Sequence, residues 1–110
     1  MANKYINKAF DLSTTDATTI YTVPAETVAI VKAVQAYNDT ASAVTVTMSF
    51  TDTSASTTYD IGYATSSTVQ QFSLLTDNLL VLEESDVLKL TASVGTQVTG
   101  VASILEQDRT

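Results

Sequence analysis

The chain has no histidine, no cysteine and no tryptophan, and only one proline and three glycines in 110 residues. Without cysteine there can be no disulfide and no thiolate metal site. Without histidine, acid–base catalysis loses its commonest group, and zinc, copper and iron lose their usual nitrogen ligand. No Gly-rich phosphate loop and no nucleophile elbow is present. Basic residues are scarce too: Lys4, Lys8, Lys32, Lys89 and Arg109 stand against 12 Asp and Glu, for a formal net charge of −7. They are scattered along the chain, whereas binding nucleic acid or an anionic membrane needs clustered cations. Neither partner is expected. The same acidity favours solubility and suits a basic partner surface. No apolar run nears the ~18 residues of a membrane span. The first eight residues lack the apolar core of a secretory signal, so synthesis and assembly in a cytoplasm are expected.

What the chain does have is alternation. Val44, Val46, Met48 and Phe50 point one way while Thr45, Thr47, Ser49 and Thr51 point the other. Hydrophobic residues make up 45% and charged residues 15%, the reverse of a disordered chain. Abundant Ser and Thr could also mean a glycosylated stalk, but here they interleave with Val, Ile, Leu and Phe around a single proline. Strands are expected over residues 4–12, 18–23, 27–37, 44–51, 57–63, 67–75, 78–83, 86–94 and 97–106, with short polar turns between them. Residues 27–37 are apolar on both faces, which predicts a central strand; alanine and lysine also favour a helix there, but the β-branched density outweighs them. Gly95-Thr96 suits a two-residue hairpin turn. The expected fold is all-β, a single antiparallel β-sandwich of about eight strands, with the jelly roll as one candidate topology.

Two parts are distinguished: an N-terminal arm or edge strand, residues 1–12, and a sandwich domain, residues 13–110. In the arm, Ile6 and Phe10 lie beside Lys4 and Lys8, and Tyr5 sits between them. An apolar side with a cationic side predicts docking on a neighbouring subunit or an acidic surface. Lys4, Tyr5, Ile6, Lys8 and Phe10 are therefore the candidate interface residues. Deletion of residues 1–12 is expected to lower assembly without unfolding the domain.

Candidates for chemistry are few. The acidic residues fall mostly in turns or at strand ends, where Asp caps local backbone. The densest group, Glu83-Glu84-Ser85-Asp86, lacks the spaced ligands of a calcium loop. Neither an enzyme nor a cofactor is expected. Tyr5, Tyr21, Tyr37, Tyr59 and Tyr63 could stack on sugar rings, but core and rim positions are the more ordinary use of tyrosine in a sandwich without tryptophan. Tyr59, Ile61 and Tyr63 share a face by alternation, which fits core or subunit contact.

The segments that open at Ile20-Tyr21-Thr22-Val23-Pro24-Ala25 and at Leu80-Val81-Leu82-Glu83 resemble small β-sandwich virion proteins of tailed bacteriophages. The first continues with Val28-Ala29-Ile30-Val31-Lys32, followed by the turn Tyr37-Asn38-Asp39-Thr40. The second continues with Asp86-Val87-Leu88-Lys89-Leu90-Thr91-Ala92-Ser93-Val94, ending in Val101-Ala102-Ser103-Ile104-Leu105-Glu106. Such turns usually carry Gly where this chain has Glu26 and Ser85, so type I turns are expected here. The resemblance implies a virion structural protein, foremost a capsid decoration (cement) protein that binds the outside of the head and stabilises the shell. A neck, tail or fibre-associated component is the alternative it allows; the tyrosines keep a glycan-binding module as another. Implied partners are the major capsid protein or other virion proteins, with self-assembly as a homotrimer.

Overall fold

The computed structural model describes residues 3–39, 42–75, 79–93 and 98–108. Nine strands follow one another: β1 (Asn3–Leu12), β2 (Thr18–Thr22), β3 (Thr27–Asn38), β4 (Val44–Asp52), β5 (Thr57–Ser66), β6 (Gln70–Leu75), β7 (Leu80–Leu82), β8 (Val87–Ala92) and β9 (Val98–Asp108). The expected hairpin turn at Gly95-Thr96 lies outside the described residues. One sheet has the order β1-β9-β3-β6, with the short β7 also paired to β3; the other has the order β2-β8-β4-β5. All pairings are antiparallel. Early strands pair with late ones from the outside of the chain inward, and β1 and β2 sit in opposite sheets, as do β8 and β9. That is a jelly roll, with β7 as an addition to the usual eight strands.

The threonine alternation builds the sandwich directly. Val44, Val46 and Met48 of β4 are buried between the sheets, and Thr45 and Thr47 stand half-buried on the outside. Outward hydroxyls pair across strands, Thr45 with Thr65 at 2.9 Å and Thr51 with Thr58 at 2.7 Å. The core is aliphatic: Leu12, Leu82, Leu88, Leu90 and Ile104 are almost fully buried. Each contributes about 1.5–3 kcal/mol by leaving water.

β3 is central, as its two-sided apolar character predicts. A register shift between Val31 and Ala33 reverses its phase, so Val34 faces inward with Ala29 and Val31 rather than with Val28 and Ile30. Gly100 answers to packing: a Cβ there would lie 2.0 Å from the Gln35 carbonyl oxygen and 2.5 Å from Phe10 Cζ. Only glycine lets β9 run between β1 and β3 at that point.

The turns differ from expectation. Glu26 and Ser85 adopt positive φ, 55° and 70°, as does Ser56 at 53°. Ser85 occupies the third position of a turn closed by Asp86 N donating to the Glu83 carbonyl at 3.0 Å, which is a type II arrangement without its customary glycine. The left-handed strain, roughly 1–2 kcal/mol for a residue with Cβ, is offset by hydrogen bonds that hold the turn from both sides.

Candidate contact surfaces

β1 is the edge strand of the five-stranded sheet, in register with β9 from Asn3 opposite Gln107 to Leu12 opposite Val98. Its pleat sends Lys4, Ile6, Lys8, Phe10 and Leu12 toward the second sheet and Tyr5, Asn7, Ala9 and Asp11 to the outer face. Phe10 is 8% exposed and belongs to the core, as does Leu12, and Ile6 packs against that core. Lys8 is exposed. Tyr5 lies open on the outer face with the Lys32 ammonium 5.4 Å from its ring centre. So the structure keeps Lys4, Tyr5 and Lys8 at the surface and takes Phe10 inside. Residues 1–12 contain a sheet strand with two core anchors, so the expectation that their removal spares the domain is replaced by the opposite one.

At the end of the sandwich where β1 begins, three connections meet: residues 23–26, 53–56 and 83–86. Asp86 is their hub. Its Oδ2 accepts from Glu83 N at 3.0 Å and its Oδ1 from Thr53 N at 3.2 Å. Val23 N donates to the Asp86 carbonyl and Ser85 N to the Val23 carbonyl, at 3.0 and 3.1 Å. Thr53 Oγ1 donates to the Ser85 carbonyl, and Glu26 N donates to Glu84 Oε1. The buried Asp86 thus fixes three loops, and the three positive-φ residues all sit in them.

Beside this cluster is a cavity of about 520 Å³ lined by Asn3, Lys4, Pro24, Ala25, Thr27, Glu106 and Asp108. One of its lining residues, Glu106, belongs to a buried polar pair that the sequence reading missed. Tyr21 Oη donates to Glu106 Oε2 at 2.5 Å in a buried setting, and Lys4 Nζ stands 3.8 Å from Glu106 Oε1. Burial, then the hydrogen bond and the charge of Glu106, push the Tyr21 hydroxyl well above its ordinary value of 10.0. The phenol stays neutral and acts as a donor. The available signal was phase: Glu106 falls on the same side of β9 as Val98, Ala102 and Ile104.

Charge is lopsided. Glu26, Asp52, Glu83, Glu84, Asp86, Glu106 and Asp108 gather at this end, against Lys4 alone among the described cations. Among the described residues no three His, Cys, Asp or Glu side chains are placed to hold a metal ion.

The five tyrosines do not share a platform. Tyr21 is core, Tyr5 and Tyr37 lie on the outer face of the five-stranded sheet paired with distant parts of β9, and Tyr59 and Tyr63 lie on β5. A register shift in the β4–β5 pairing breaks the shared face expected of β5. Tyr63 stands opposite the outward Thr47, whereas Tyr59 stands opposite the inward-facing Phe50, ring centres 5.8 Å apart. At the far end, the buried Asn38 donates from Nδ2 to the Ser42 and Thr68 carbonyls at 3.0 and 3.1 Å, tying two further loops. No described helix is long and apolar enough to cross a membrane.

No family model matches the chain, and no curated protein matches it. Solved structures do. The Eiger TNF of S. frugiperda superposes with a TM-score of 0.53 at 11% identity, over 84% of this chain and 66% of that one, so this chain spans just under two thirds of its length. A protein of the disulfide-linked pili of Bacillus endospore appendages gives 0.50 at 13% identity, over 96% of this chain and 84% of that one. A pentameric capsid protein from metagenomic phage sequences gives 0.49 at 23% identity, over 87% of this chain and 66% of that one. The first two share with this chain its sandwich fold and nothing more specific.

Proposed function

We propose that this chain is a non-enzymatic structural component of a tailed-phage particle, foremost a capsid decoration protein that binds the outside of the head, stabilises the shell and assembles with its own copies. The observation that carries the reading is the meeting of the two phage-like segments. Far apart in sequence, they become β2 with its turn and β3 on one side, and β7, β8 and β9 on the other. Their turns are bonded to each other through Val23, Ser85 and Asp86 and through Glu26 and Glu84. The resemblance therefore falls on one folded unit rather than on two unrelated strands.

The physical character of the unit agrees with such a role. Its outer faces are hydroxyl-rich on one sheet and partly apolar on the other, and loops hydrogen-bonded to one another close its acidic end. A domain that clamps a shell needs shape and surface more than reactive groups.

The test is direct. Purified protein is expected to bind expanded, DNA-filled heads and to raise the temperature at which they release DNA. Quantitative mass spectrometry of purified virions should find hundreds of copies per particle. A few to tens of copies, or immunolabelling confined to the tail, transfers the chain to the neck or tail reading. Absence from purified virions overturns both.

A further inference from the structure

Two exposed apolar patches lie on different surfaces of the sandwich. One crosses the outer face of the five-stranded sheet. There the register sets Tyr5, Leu105, Ile30 and Val81 side by side on β1, β9, β3 and β7. Tyr5 is 73% and Val81 58% exposed. Lys32 stands over this row, and no carboxylate among the described residues pairs with it. The other patch is the β5 edge of the four-stranded sheet, where the bulge at Ile61 leaves that side chain exposed at the rim, with Tyr63 and Asp60 on the outer face beside it and the exposed Tyr59 on the other face. Among the described residues β5 pairs with β4 alone, and Asp60 is the single charge along its ten residues. β1, the edge of the other sheet, carries Lys4, Lys8 and Asp11.

We propose that these two patches meet between copies of this chain: the β5 edge of one copy docks across the Tyr5–Leu105–Ile30–Val81 row of the next, with Asp60 facing Lys32. Charge selects this pairing. The apolar row carries a cation and the apolar edge an anion, so edge on face joins opposite charges. Row on row, or edge on edge, gathers like charges on a small apolar surface, which costs free energy. Aromatic side chains on a stiff strand also make good anchors at low entropic cost. Because the two patches differ, the contact is heterologous, and its repetition gives a closed ring or an open filament.

This deepens the particle reading, and its test uses the purified full chain with no particle present. Sedimentation velocity and light scattering are compared for the unaltered chain, Lys32→Glu, Asp60→Lys and the double variant, with thermal melts to check that each is folded. The unaltered chain is expected to form an oligomer. Each single reversal should raise its dissociation constant by about tenfold or more, and the double variant should recover most of that loss. A chain that stays monomeric, single variants that assemble unchanged, or a double variant no better than the singles overturns the contact while leaving the particle reading in place. Absence from virions overturns that reading and leaves the contact in place.

Discussion

Among the described residues, Tyr21 and Glu106 form the one buried side-chain hydrogen bond that links the two sheets at the acidic end. Tyr21 belongs to β2 and Glu106 to β9, and the phenol hydroxyl closes on the carboxylate in the interior. The sign of the pH effect follows from the raised phenol. The folded state holds that proton more tightly than the unfolded state does. Its contribution is therefore complete below pH 10 and is lost as pH rises from there toward the folded value. Above pH 10 the unfolding free energy should fall with pH, this group adding a slope of up to about 1.4 kcal/mol per pH unit. Tyr21→Phe should remove that part of the slope while leaving Glu106 without its donor. Urea titrations at a series of alkaline pH values measure it. Equal slopes for the two proteins would mean that the hydroxyl is not held as the structure shows.

At the scale of elements, the strands follow from alternation and the departures from it have local causes. Residues 44–51 read nearly as they fold, into a strand that runs on to Asp52 and buries Ser49, because Val and Thr alternate over a stretch where β4 and β8 stay in phase. Residues 27–37 gave a strand of the right type, but Lys32 absorbs a register shift, and a single inserted residue in a two-sided apolar run leaves no trace in hydropathy. β5 hid its bulge at Ile61 for a different reason: Tyr59, Ile61 and Tyr63 alternate cleanly with Thr58, Asp60 and Gly62, a pattern that an unbroken strand would also show. Turn geometry was less legible still: Glu26 and Ser85 take the conformation of glycine because distant loops bond to them, and spacing along the chain does not report such bonds. The candidate surface was legible in part. Tyr5 and Lys8 are outside, Phe10 is inside, and the Ile30, Val81 and Leu105 row appears only once three strands are placed in register. β1 shows what that means energetically. Removing residues 1–12 deletes a full ladder with β9 and the burial of Phe10 and Leu12, each side chain worth about 1.5–3 kcal/mol. That loss is comparable with the 5–15 kcal/mol stability of a small domain. The truncated chain should lose its cooperative melt, whereas Tyr5→Ser with Lys8→Ser should shift stability by only ~0.5 kcal/mol. Circular dichroism melts separate the two outcomes. A truncated chain that melts like the intact one would make β1 a detachable arm.

For the whole molecule, the decisive feature is where its charge sits. The domain extends 47 × 27 × 21 Å, and most of its excess negative charge lies at the loop end that Asp86 ties together. The lysines of β3 and β8 are placed along the strands, and at 0.1 M salt the Debye length is ~10 Å, so they do little for that end. The loops are thus held by hydrogen bonds against their own repulsion. Screening should relieve that repulsion, so the melting temperature should rise from low salt to physiological salt, in contrast to a domain held by surface ion pairs. Glu83 is the residue to alter, because it is exposed and its bond to Asp86 uses the backbone N–H rather than the side chain. Glu83→Gln should raise the melting temperature at low salt, by roughly what 0.3–1 kcal/mol of relieved repulsion provides, and the difference should fade as salt is added. The same end is the part of the surface best suited to a basic partner. A partner that binds there should hold the unaltered chain more tightly than Glu83→Gln, with the gap again closing in salt. Melting and binding then shift in opposite directions for one substitution. A variant that lowered both would show Glu83 acting in the loop structure rather than through its charge.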